Sequence, residues 1–287
     1  MSQVVSVLFH GTAYGMVLYI ISVGLSITMG LMRFVNLAHG IFAMAGGYIL
    51  TTLMGRLDVL FPVAVVAAFL GVAFVSLMLE RLLYSRFYGD NELAQVLFSI
   101  GLIFIAVALA RMAFGSQAQR IVLPAYLQGQ WRAFNRDWMV YRLFTIAFSS
   151  LLIVALWFGI ERTRWGALVR ASVDNTRMAQ SIGINTSRVF SLTFMLGSGL
   201  AGLGGAVGVD FLSVLPTYPL DFLVTFLMVV AVGGPGSLRG TFFAALILGL
   251  GETASKYWFP EVGSFFLYFF VIALLNMKPH GLYGARA

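Results

Sequence analysis

The sequence predicts an all-α polytopic membrane protein, and its composition and its long apolar runs are the observations that predict it. Hydrophobic residues make up 60% of the 287 residues, charged residues only 10%, and the mean hydropathy is +0.92. A soluble domain of this length needs a larger charged surface. Apolar runs such as 139–160, in which Arg142 is the one charged residue, recur along the chain. In lipid, a run of about 20 apolar residues satisfies its own backbone hydrogen bonds by forming a helix.

Nine apolar runs are candidate membrane spans: residues 5–31, 38–55, 60–79, 94–114, 139–160, 189–209, 221–234, 240–256 and 262–277. The second is short and contains Gly40, Gly46 and Gly47, so we predict a second helix that is discontinuous within the membrane. The prediction is therefore eight or nine transmembrane helices in a single transmembrane domain over residues 1–287. An external N-terminus places 11 of the 18 Lys and Arg residues on the inner side, and this bias favours that orientation.

Two of the polar segments between the apolar runs bear on function. Residues 167–182, inside the polar segment 161–188, are good helix formers without proline, so a short amphipathic helix outside the bilayer is predicted. The other segment, 33–40, contains Asn36 and His39 and leaves two interpretations open. Either Asn36 caps the helix that follows, or a discontinuous helix presents its N–H groups and both side chains to an anionic or zwitterionic solute.

Several classes of chemistry are absent from the sequence. The chain has no cysteine and only three widely spaced histidines, so we predict no thiol nucleophile, no metal site and no cofactor. No Gly-Lys pair precedes a Ser or Thr, so ATP hydrolysis of the P-loop type must be on another chain. The net charge of +7 indicates basic loops at an anionic membrane surface and no nucleic-acid partner.

The candidates for a functional ionisable residue in or near the predicted spans are few: His39, Asp210, Asp221 and Glu252. Such residues mark functional sites in membrane proteins, and their scarcity argues against a carrier coupled to protons or sodium. Segment 197–202 matches G-x-G-x-x-G, but it lies inside an apolar span with no preceding strand. We interpret it as close helix packing and not as a dinucleotide site.

Four motifs, in order along the chain, resemble the LivH-type permease subunits of bacterial branched-chain amino acid ABC importers. They are N-L-A-H-G at 36–40 with M-A-G-G-Y at 44–48, the run 163–185, V-G-G-P-G-S-L-R-G at 232–240, and K-P-H-G-L-Y-G at 278–284. The resemblance implies ABC importer permease architecture. It also implies a transmembrane permease subunit of an ATP-driven importer for branched-chain or related small amino acids, and not an enzyme.

The resemblance also assigns roles to individual residues. A coupling loop at about 161–188 would dock on the ATPase through Arg170, Asp174, Ala179, Gly183 and Ile184. The translocation path would be lined by Asn36, His39 and Gly40. A structural turn would be formed by Gly233, Gly234, Gly236 and Gly240.

The partners that the resemblance implies are a second, longer permease in a heterodimer, two ABC ATPase subunits, a periplasmic or other external solute-binding protein, and membrane lipid. The location would be the bacterial inner (plasma) membrane, with multiple crossings. One alternative is an ABC permease for urea, amides or small carboxylates. Another is a stand-alone channel or secondary carrier, which would transport without ATPase partners and have no use for the segment 161–188.

Overall fold

The apolar runs of the sequence form helices. The structure, a computed structural model, describes residues 2–32, 34, 36–88, 90–119, 121–133, 136–261, 263–279 and 281–283. The α-helices are α1 (Ser2–Met32), α2 (His39–Leu57), α3 (Phe61–Leu82), α4 (Glu92–Phe114), α5 (Val140–Glu161), α6 (Arg164–Asp174), α7 (Thr176–Ser181), α8 (Thr186–Val207), α9 (Tyr218–Asp221), α10 (Leu223–Gly233), α11 (Leu238–Trp258) and α12 (Gly263–Met277). An antiparallel strand pair, β1 (Gln130–Ala133) and β2 (Arg136–Met139), precedes α5. His280 and Gly284 of the last sequence motif lie outside the described residues.

A polytopic helical architecture is confirmed. Within the described ranges, six helices are long and apolar enough to cross a membrane: α1, α2, α3, α4, α5 and α8. The helices α10 and α12 are apolar but shorter, and α11 carries Arg239, Glu252 and Lys256. Each of the nine predicted spans coincides with a helix, but length and composition alone qualify six of them as crossings.

Glycines allow the central helices to approach closely. A Cβ atom on Gly24 of α1 would lie 2.1 Å from the carbonyl oxygen of Gly197 in α8, and one on Gly46 of α2 would lie 1.9 Å from that of Gly202. Real atoms cannot approach so closely, so each of these contacts requires glycine. The interpretation of segment 197–202 as helix packing is confirmed, because two of its glycines are the contact points.

The second helix differs from the prediction. α2 is continuous from His39 to Leu57, and the irregular backbone precedes it. The Nε2 atom of His39 lies 3.0 Å from the carbonyl oxygen of Ile21, which is about 16 Å along α1 from the end of that helix. The chain therefore turns back after α1, and α2 begins beside the middle of α1. A break within α2 is unnecessary because the turn between the two helices already places irregular backbone at that depth.

Asn36 does not cap α2. The cap residue is Ala38, which supplies no side-chain hydrogen bond to the first N–H groups of this helix. The Oδ1 atom of Asn36 instead accepts a hydrogen bond of 3.3 Å from the hydroxyl of Tyr84, which follows α3. The helix-cap interpretation of this residue is therefore wrong, because a partner distant in sequence takes the side chain.

Candidate functional site

The segment 161–188 folds into two short helices, α6 and α7, instead of the one predicted. Thr163 begins α6 by accepting a hydrogen bond from the N–H of Gly166 (3.2 Å), and Asn175 begins α7 by accepting one from the N–H of Met178 (2.9 Å). Asn185 caps α8 in the same way. An Asn side chain competes well for free N–H groups at a helix start, so Asn175 ends one helix and starts another. These caps define the boundaries of the segment.

The end of α7 explains why alanine occupies position 179 and glycine position 183. Gly183 has φ +88°, its N–H donates to the carbonyl of Gln180, and the N–H of Ile184 donates to the carbonyl of Ala179, both at 3.0 Å. This pair of bonds is the Schellman motif, in which glycine is preferred at the left-handed position. Ala179 is buried, and Ile184 packs against the cluster formed by Val169 of α6 and Val189 of α8.

The five residues predicted to contact an ATPase divide into two groups. Arg170, Asp174 and Gly183 are exposed, whereas Ala179 is buried and Ile184 is half-buried. Arg170 donates a hydrogen bond to the carbonyl of Ile160, which ties α6 to the end of α5. The buried members therefore hold the segment in shape, and the exposed members are available to a partner.

Sequence reasoning missed two exposed apolar side chains on this segment, Met178 (62% exposed) and Ile182 (69% exposed). They are four residues apart and therefore project from neighbouring turns on one side of α7. Recognising Asn175 as a helix cap would have placed the start of α7 and revealed this pair. Around them the segment exposes basic side chains: Arg162, Arg164, Arg170, Arg177 and Arg188.

A buried carboxylate links the core to this end of the molecule. Glu80, near the end of α3, is 2% exposed. It accepts hydrogen bonds from the hydroxyls of Ser191 on α8 (2.7 Å) and Tyr88 (2.8 Å). Ser191 lies in the second turn of α8, directly after the segment 161–188, so its hydrogen bond to Glu80 connects the start of α8 to α3.

The residues predicted to line a path lie together but are buried. Asn36 and His39 are each 1% exposed. A Cβ on Gly40 would lie 3.0 Å from the Cα of Pro219, so α2 begins directly against α9. The His39 Nε2 must carry the proton, because it faces the carbonyl of Ile21. Nδ1 of His39 and Nδ2 of Asn36 have no partner within the described protein.

The predicted structural turn joins α10 to α11. Gly234 (φ +92°) and Gly236 (φ +82°) have left-handed backbone, and a Cβ on Gly240 would lie 1.9 Å from the carbonyl oxygen of Gly233. The N–H of Gly236 donates to the carbonyl of Ser26 on α1 at 2.9 Å. The four glycines therefore permit a tight reversal that is fastened to α1.

A polar cavity of about 350 Å³ lies at the opposite end of the helices from the segment 161–188. The cavity and the segment 161–188 lie at opposite ends because of the order of the chain. Arg142 is at the start of α5 and Asp210 follows the end of α8, whereas the segment joins the end of α5 to the start of α8. Its ionisable and tyrosyl lining residues are His10, Tyr14, Arg142, Asp210, Asp221, Glu252 and Lys256.

Four polar side chains of the cavity have hydrogen-bond or ion-pair partners: Tyr14, Asp221, Glu252 and Lys256. Glu252 accepts a hydrogen bond from Tyr14 (2.9 Å) and pairs with Lys256 (2.6 Å). Asp221 of α9 accepts a hydrogen bond of 2.7 Å from the hydroxyl of Thr217. The guanidinium of Arg142 is 5.1 Å from the ring centre of Phe211, a stacking contact that favours the cation.

The comparisons with known proteins concern nearly the whole chain. The sequence pattern of the family described as "Branched-chain amino acid transport system / permease component" matches residues 7–275. The chain belongs to this family. The permease is therefore an integral membrane transport subunit of an importer and not an enzyme.

Individual relatives match the permease along almost their full length. LivH, the permease protein of the high-affinity branched-chain amino acid transport system of Salmonella typhimurium, is 27% identical over 96% of this chain and 94% of its own. BraD of Pseudomonas aeruginosa, a permease protein of the same description, is 26% identical over the same shares. The probable LivH of Methanocaldococcus jannaschii is 23% identical over 94% of this chain and 90% of its own. No solved structure matches.

The cavity of the permease brings together residues that the sequence presents separately. Asp210, Asp221 and Glu252 are isolated charges near the ends of predicted spans, and Arg142 and Lys256 belong to no sequence motif. Their meeting depends on the start of α5 and the ends of α8 and α11 lying on one side of the molecule, which a chain of alternating spans produces. Among the described residues, no group of three or more His, Asp or Glu side chains is placed to hold a metal ion.

Proposed function

We propose that this permease is one of two transmembrane subunits of an ATP-driven importer for branched-chain or related small amino acids, in the inner membrane of a bacterium. The observation that carries the proposal is the match of 96% of the chain to permease proteins of high-affinity branched-chain amino acid transport systems. The subunit would cross the membrane eight or nine times, with α10, α11 and α12 adding to the six long apolar helices.

The segment 161–188 is proposed to be the docking site for a separate ATPase. Its three helix caps and its Schellman motif give a folded surface, and Arg170, Asp174 and Gly183 are exposed on it. Met178 and Ile182 add an apolar patch of the kind that a partner groove buries. ATP-driven closure of two ATPase subunits would push on this segment and, through Glu80 and Ser191, on the helix core.

The translocation path is proposed to run from the polar cavity toward Asn36, His39 and Gly40. The element α9 supports this course, because Asp221 at its end lines the cavity while Pro219 within it touches Gly40. The N-terminus of α2 has no side-chain cap, so its free N–H groups are available to a carboxylate when α9 moves. The other wall of the path would be a second permease subunit.

Purification in mild detergent from the native host, with mass spectrometry of the accompanying proteins, tests this proposal. We expect two ABC ATPase subunits and a second, longer permease. A permease that emerges alone and transports solute in liposomes without ATP would refute the importer and favour a stand-alone carrier.

A further inference from the structure

Two of the charged side chains that line the polar cavity, Arg142 and Asp210, do not form an ion pair with each other. Arg142 interacts electrostatically with Asp210, but no nitrogen of Arg142 comes within 4.0 Å of the carboxylate of Asp210. Glu252 is different, because Lys256 and Tyr14 already engage its two carboxylate oxygens. Asp221 accepts a hydrogen bond from Thr217, whereas no side-chain hydrogen bond or ion pair engages Arg142 or Asp210 among the described residues. These two charges are therefore available to a solute.

Arg142 is held in a position suited to a carboxylate. It lies in the first turn of α5, it is half-buried, and its guanidinium stacks on the ring of Phe211. Its Nε is shielded from solvent and makes no hydrogen bond within the described protein. A planar guanidinium with free N–H groups binds carboxylates through two parallel hydrogen bonds. Leaving such a group unsatisfied is costly, so a bound carboxylate would stabilise it.

An apolar part of the lining suits the side chain of an apolar amino acid. Phe211, Leu212 and Phe222 form apolar wall beside the two charges. The volume of about 350 Å³ lies at the lower end of the range for small-ligand sites. A zwitterion carries its carboxylate and ammonium on one carbon atom, so it can bridge a cation and an anion that are too far apart to pair directly. An uncharged amide would engage neither charge, and a simple carboxylate would engage only one.

We propose that this cavity is a low-affinity binding site for a zwitterionic α-amino acid, in which Arg142 binds the carboxylate, Asp210 binds the ammonium group, and the side chain rests on the Phe211–Phe222 wall. The proposal rests on the proposed function in that it takes the solute to be an amino acid. It adds that this permease itself selects for the zwitterion after an external protein has delivered it.

The test is equilibrium dialysis of radiolabelled leucine against the full-length permease, purified with whatever subunits accompany it and without any external binding protein. Leucinamide, which lacks the carboxylate, and 4-methylpentanoate, which lacks the ammonium group, serve as comparison ligands. We expect millimolar binding of leucine and much weaker binding of both comparison ligands.

Two variants assign the two charges. Arg142→Gln should weaken leucine binding by about tenfold or more, the value of one charge-assisted hydrogen bond, and leave leucinamide binding unchanged. Asp210→Asn should weaken leucine binding similarly and leave 4-methylpentanoate binding unchanged. Arg142→Lys should bind leucine with intermediate affinity, and the control Arg56→Gln, at an exposed arginine outside the cavity, should bind it as the unmodified permease does.

Co-purification of the accompanying subunits in the same amount as with the unmodified permease shows that each variant is folded. Equal leucine affinity in Arg142→Gln and in the unmodified permease, or equal binding of leucine and 4-methylpentanoate, would overturn the proposal. ATP-dependent leucine uptake, measured in parallel, separates it from the proposed function. Uptake without binding to the permease refutes the cavity site alone, whereas binding without uptake refutes the importer and leaves the site.

Discussion

The substitution Ile182→Asp should weaken ATPase binding without unfolding the permease. Ile182 is 69% exposed and follows the last residue of α7, so its replacement removes little internal packing. Burying an exposed isoleucine side chain contributes about 1.5–3 kcal/mol, and about two thirds of that side chain remains to be buried by a partner. The lost contact is therefore about 1–2 kcal/mol, which corresponds to a 5- to 30-fold weaker ATPase affinity. An aspartate left unpaired in the contact weakens it further.

The assay is a titration of the purified ATPase subunit onto the permease in nanodiscs, followed by ATP-dependent uptake in proteoliposomes. Leu93→Asp is the matched control, because Leu93 is equally exposed (68%) but lies in the first turn of α4. ATPase affinity should fall for Ile182→Asp and stay unchanged for Leu93→Asp. An unaltered affinity for Ile182→Asp, or an equal loss in both variants, would refute the docking role of α7.

Three further predictions concern stability and local geometry. Gly46→Ala should lower the free energy of unfolding by about 1–3 kcal/mol through overpacking. The control Gly101→Ala, in open space on α4, should raise it slightly. Thermal unfolding in detergent measures both, and equal effects would contradict the close helix contact. Gly183→Ala should reduce ATPase affinity because φ +88° costs alanine about 1–2 kcal/mol. Gly183→Asn should reduce it less, since asparagine tolerates this backbone conformation. The titration of ATPase onto the permease ranks the two variants, and the reverse order would contradict the Schellman motif at the end of α7. Arg239→Gln removes an ion pair of 2.9 Å with Glu161 in which both side chains are about half exposed, so the unfolding temperature should barely move; a large drop would show that this pair is shielded by a partner.

The positions of the helices were predictable from the sequence, because a long apolar run inside the lipid bilayer can satisfy its backbone hydrogen bonds only by forming a helix. The role of Gly197 and Gly202 was also predictable, since small residues in an apolar span have few functions other than close packing. The continuity of α2 was not predictable. Its glycines are compatible with a break, and only the return of the chain along α1 to Ile21 shows that none is needed.

The polar cavity was not predictable either, for a different physical reason. Arg142 and Asp210 are 68 residues apart in the sequence, and each is an ordinary charge near the end of a span. Only the packing of α5 and α8 against α1 brings Arg142 and Asp210 to the same cavity. On the segment 161–188, in contrast, the caps Thr163, Asn175 and Asn185 were visible as residue types, and their preference for helix starts would have separated α6, α7 and α8.

Leucine uptake by proteoliposomes tests the importer most directly. The vesicles contain the permease with its co-purified subunits, and ATP is supplied on the side of the segment 161–188 while an external binding protein loaded with leucine is supplied on the side of the cavity. We predict uptake that requires both ATP and the binding protein and that is reduced in Ile182→Asp. Uptake that proceeds without ATP, at the same rate in that variant, would contradict the assignment of this chain as an ATP-coupled permease subunit.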